Sequence, residues 1–77
     1  MAYGDRKWSD EFSQRYEAWR DALIAMNRAL ETDEGSAWSA AAASWDIMAR
    51  MHEGMPLDQK VYADLAASCG RKARAAQ

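Results

Sequence analysis

One cysteine, one histidine, one proline and one phenylalanine in 77 residues exclude a good deal before any pattern is read. Cys69 has no second cysteine to pair with in its own chain, so no internal disulfide can staple the fold, and a reducing compartment fits better than a secreted one. With His52 as the only imidazole, a structural zinc site built from Cys and His ligands cannot be assembled. Long apolar runs are missing too. The longest, Trp38 to Ala43, is interrupted by Ser39 and falls far short of the roughly 20 residues a membrane-spanning helix needs. The first eight residues, Met1 to Trp8, are polar, with no apolar stretch behind their charges, and do not read as a signal peptide. The expectation is a cytoplasmic protein that does not enter a membrane.

Charge of one sign is also in short supply. Twelve acids against ten bases give a net charge of −2, so the chain has no general electrostatic footprint for nucleic acid. The distribution is uneven: residues 1–34 hold eight acids and five bases, residues 58–77 two acids and four bases. A basic partner surface would meet the first part of the chain, an acidic one the end.

What the chain has in quantity is apolar residues at helical spacing. Phe12, Tyr16, Trp19, Leu23, Met26 and Leu30 step by 4, 3, 4, 3 and 4, which places them on one face of an α-helix with the mean period of a coiled-coil seam. A second seam follows at Trp38, Ala41, Trp45 and Met48. The spacing predicts an all-α fold: a small three-helix bundle with helices over about 10–31, 37–53 and 57–73, the first two forming an antiparallel hairpin. Residues 1–8 read as an irregular arm and 74–77 as a frayed tail of this single helical domain. Ser9 and Ser36 are placed to cap the first two helices through their hydroxyls. Gly35 gives the first turn its backbone freedom. Gly54 followed by Pro56 is a strong stop.

The second helix has only a narrow polar stripe, Ser39, Asp46, Arg50 and Glu53, with Asp46 and Arg50 spaced to pair. Apolar on two sides, it should be the central element. The third helix carries Leu57, Val61, Leu65 and Cys69, flanked by Tyr62 and Ala66, and ends in Arg71, Lys72 and Arg74, where positive charge complements the helix dipole. A chain this short buries only about 60% of its unfolded surface, so a homodimer is expected to add to its stability.

Residues that carry chemistry are sparse. His52 stands in a His-Glu-Gly-Met run without the second histidine of a zincin helix, and no Ser or Cys lies one turn away to act as nucleophile. Cys69 falls on an apolar stripe and reads as a small core residue. The cluster Arg71-Lys72-Arg74 lacks interleaved aromatics, which argues against nucleic acid as a partner. No catalytic, metal or cofactor site is predicted.

The surplus points to contact with another protein. Opposite the ladder of the first helix runs an acidic ridge, Asp10, Gln14, Glu17, Asp21, Ile24, Arg28 and Glu31. Trp8, Ile24, Ile47, Met51 and Tyr62 stand off the principal seams, and such residues are favoured at interface centres. The partner-binding set expected is therefore Trp8, Asp10, Glu17, Asp21, Ile24, Arg28, Ile47, Met51 and Tyr62, facing a partner that offers a basic surface. The general profile — very short, mildly acidic, helical, without a catalytic set — resembles accessory proteins of phages and mobile elements, some of which inhibit host machinery, CRISPR surveillance complexes included. That likeness is one of type and rests on no motif. It implies a non-enzymatic interaction module that occupies a partner's surface; a self-assembling structural subunit and a small nucleic-acid-associated regulator are the alternatives.

Overall fold

The computed structural model describes residues 6–76, with side chains from residue 12 onward. Three helices account for nearly all of this: α1 (Arg6–Thr32), α2 (Gly35–Met51) and α3 (Pro56–Ala75). The fold is the expected all-α three-helix bundle, an antiparallel hairpin plus a third helix. α2 is central and packs against both of its neighbours, whereas α3 joins the hairpin through α2 alone.

The helix ends differ from expectation in instructive ways. α1 begins at Arg6, not near Asp10, because neither Gly nor Pro stands between residue 6 and the turn and Arg and Lys are good helix formers. Ser9 is thus inside the helix and is no cap, and residues 6–8 of the expected arm are helical. The turn to α2 is only two residues long. Asp33 takes the left-handed conformation, φ 55°, which Asp tolerates better than most residues, and its N–H donates to the Ala29 carbonyl at 2.7 Å, the bond of an αL helix stop. The freedom assigned to Gly35 is therefore exercised by Asp33. Gly35 and Ser36 fall in the first turn of α2, whose extended N-cap residue is Glu34, without a side-chain cap bond.

α2 ends at Met51, two residues before the expected end at 53, and the turn that follows holds Gly54 at φ 89° ahead of Pro56, the expected stop signal. Pro56 also opens α3 as its first residue, where a missing N–H costs nothing because that position has no intrahelical acceptor. α3 then runs on to Ala75, past the expected end at residue 73, since Arg74 and Ala75 favour helix and Gly70 does not interrupt it.

The core sits along α2. Trp38, Ala41, Trp45 and Met48, the second seam of the sequence, are all buried. Trp45 stacks on Tyr62 of α3 (centroids 5.8 Å apart, planes 9° apart), and its Nε1–H donates to the Met26 sulfur of α1 at 3.3 Å, so one indole ties the three helices together. Trp38 donates from Nε1 to Asp33 Oδ1 at 2.8 Å and carries the Lys72 ammonium 5.2 Å from its ring centroid. Cys69 is buried in the same core. Burial pushes its thiol pKa above 9.0, against a smaller lowering by Lys72.

α1 does not bury the face that its ladder advertises. Its fully buried residues are Ala22 and Ala29, both 0% exposed, with Ala18 and Ala25 beside them. This alanine stripe also steps by 4, 3 and 4, and at about 100° per residue it lies roughly a third of a turn round the helix from the ladder. Methyl side chains let the α1 backbone approach the bulky α2 tryptophans. Of the ladder, Leu23 and Met26 flank the core, and the rest is left outside.

The bundle is drawn out and thin, 49 × 25 × 12 Å with a radius of gyration of 14.4 Å, against about 11–12 Å for a compact domain of this length. It amounts to a single layer of helices, with α1 overhanging the shorter α2.

Candidate interaction surfaces

Two surfaces of α1 stand out, on opposite sides of the layer. The first is the exposed part of the ladder. Tyr16 is 50% exposed, Trp19 41% and Leu30 62%. Phe12 stacks on Tyr16 (6.5 Å, 15°), and Tyr16 leans on Trp19 (6.1 Å, 37°), so the rings form a staircase along the helix. Their seam spacing implied a packed face of α1, and they are missing from the interaction set read from the sequence. Two signals were present: the rival alanine stripe, and the greater length of α1 relative to α2.

The second surface is a groove of about 230 Å³ between α1 and α2, lined by Asp21, Ile24, Ala25, Arg28, Ala37 and Ala40. It brings together three residues of the expected set, Asp21, Ile24 and Arg28. Ile24 is 53% exposed and Ile47 50%. Ile47 lies two turns from Ala40, hence on the same face of α2. Among the described residues Asp21 has a distant contact with Arg20, 3.9 Å. The Arg28 carbonyl accepts the Thr32 hydroxyl at 3.0 Å. Its guanidinium makes no ion pair among the described residues.

The rest of the expected set is dispersed. Glu17 is exposed further along α1. Met51 is half-buried at the end of α2. Tyr62 is partly buried and packs against the core: its ring stacks on Trp45, and the His52 ring is 4.8 Å away. Trp8 and Asp10 fall in the helical span of α1, but their side chains lie outside the described residues. Ala40 and Ile47 mark the second apolar side of α2. They are exposed because α1 and α3 both approach the arc that carries the tryptophans.

His52 bonds through Nδ1 to the Met48 carbonyl at 2.8 Å, satisfying an otherwise free acceptor in the last turn of α2. Asp46 and Arg50 pair at 2.7 Å. A wider groove between α2 and α3 has an alanine floor with Asp46, Arg71 and Arg74 at its rim. No helix among the described residues is long and apolar enough to cross a membrane. Compared with protein families, with curated proteins and with solved structures, the chain finds no match in any of the three.

Proposed function

We propose that this protein is a non-enzymatic interaction module that works by occupying a partner's surface, in the manner of a small inhibitor of a larger complex. The observation that supports this is the exposed run Tyr16, Trp19 and Leu30 on one face of α1. Rings and a leucine at seam spacing are what a helix offers to a groove in another protein. Trp and Tyr are also the side chains that most often dominate binding energy. α1 is already folded against α2, which lowers the ordering cost of association.

The test is affinity capture from cell lysate with the wild-type chain and with a Tyr16→Ser/Trp19→Ser/Leu30→Gln variant. One stoichiometric protein partner, lost in the variant at unchanged helicity, is the expected result. Capture that survives the three substitutions would sink the reading.

Self-assembly is the second reading. It is favoured by the thinness of the layer, since helical domains bury their apolar stripes between two packed layers and this chain provides one.

A further inference from the structure

We infer that the α1/α2 groove is one half of a two-fold interface, and that its occupant is the same groove on a second copy of this chain. The inference deepens the self-assembly reading and does not depend on the aromatic face, which lies on the other side of α1.

The argument is one of self-complementarity. Asp21, Ile24, Ala25 and Arg28 follow an i, i+3, i+4, i+7 pattern, a single stripe along α1. Its ends bear opposite charges, and its middle falls between Ile24 and Ala25. An isologous contact matches residue i with j and j with i. A two-fold axis crossing α1 at that midpoint runs the two α1 helices antiparallel, sets each Asp21 against the other copy's Arg28 and brings the two Ile24 side chains together. On α2, Ala40 and Ile47 are likewise seven apart, a small residue lining the groove and a large exposed one. Their midpoint lies between Ala43 and Ser44. The same axis lays each Ile47 over the other copy's Ala40, a knob above a hole.

One axis can satisfy both pairs only if the two midpoints are level. The chain reverses between Asp33 and Glu34. The α1 midpoint lies about nine residues before that reversal and the α2 midpoint about ten after it, a mismatch of about 1.5 Å of helix rise. Area is not limiting: one face of a layer 49 × 25 Å in outline exceeds the roughly 800 Å² per partner that a stable complex buries. Two layers stacked in this way also give the two-layer architecture that a single copy lacks.

Charge exchange tests the pairing, with mass in solution read by sedimentation or light scattering. The wild type is expected to dimerise. Asp21→Arg and Arg28→Asp, each alone, place like charges at both ends of the contact and should weaken the dimer about tenfold or more. The double variant restores both pairs and with them the dimer. An equimolar mixture of the two single variants should form heterodimers, because each then offers the charges the other needs. Ile24→Cys should form an interchain disulfide under mild oxidation, since the axis brings the two side chains together. A wild type that stays monomeric at millimolar concentration overturns the inference. So do single variants that dimerise like the wild type, or a double variant that does not recover. Partner capture through Tyr16 and Trp19 is read separately, so either proposal can fail while the other stands.

Discussion

The indole of Trp38 donates to the carboxylate of Asp33 at 2.8 Å, across the turn that reverses the chain. Asp33 also holds the left-handed conformation that ends α1. One residue thus sets the backbone path out of α1 and anchors a buried ring of α2. Asp33→Ala should remove the acceptor and place a less tolerant residue at positive φ, costing about 2 kcal/mol. Asp33→Asn keeps an acceptor and the tolerance for that conformation and should cost well under half as much. Urea unfolding followed by circular dichroism checks both.

Trp45 contacts Tyr62 and Met26 at once. Truncating a buried tryptophan to alanine costs about 3–5 kcal/mol, and a chain of this length has on the order of 4–12 kcal/mol in total. Trp45→Ala should therefore lose a large share of the stability and unfold at a much lower urea concentration than the wild type. Trp45→Phe keeps a ring for stacking but loses the N–H donor, and should stay folded with a lower midpoint. A Trp45→Ala variant with the wild-type urea midpoint would contradict this account of the core.

The rotation of α1 is testable by paired substitutions. Ala22 is fully buried and Leu30 largely exposed. Ala22→Leu should destabilise the fold by about 1–3 kcal/mol through overpacking, whereas Leu30→Gln should change stability by less than about 0.5 kcal/mol. If the ladder were the buried face the order would be reversed.

Cys69 supplies a pH dependence. Its folded-state pKa is raised above 9.0 by burial, so the folded form retains the thiol proton at pH values where the unfolded chain releases it. The stability linked to this group is fully present below the unfolded thiol pKa and is lost as pH rises through the folded one. The wild type should lose stability from about pH 9 upward more steeply than Cys69→Ala, with the difference in unfolding free energy between the two as the readout. The native thiol should also react with a thiol reagent much more slowly than the unfolded chain.

Much of the fold was legible in the sequence because its signals are local. Gly54 and Pro56 end a helix whatever surrounds them. The spacing of Trp38, Ala41, Trp45 and Met48 marks one face of the central helix, and all four are buried, with Ala37 and Ala49 beside them. Helix starts were harder to read. Ser9 and Ser36 are plausible caps in isolation, but α1 already runs through Ser9 from Arg6, and Glu34 takes the N-cap position of α2, which leaves Ser36 in its first turn. The groove residues Asp21, Ile24 and Arg28 were legible as an off-seam stripe, while the seam spacing of Tyr16, Trp19 and Leu30 implied a packed face.

The sequence by itself determined that there are three helices, that the second stops ahead of Gly54 and Pro56, and that α2 lies at the centre with its tryptophans inward. Only the tertiary structure decided which face α1 turns to α2. Ladder and alanine stripe share the same periodicity, so spacing cannot choose between them. The choice depends on how closely two backbones can approach across Trp45 and Met48, and there methyl groups fit where a row of large side chains would hold the helices apart. That same choice turned Tyr16, Trp19 and Leu30 outward.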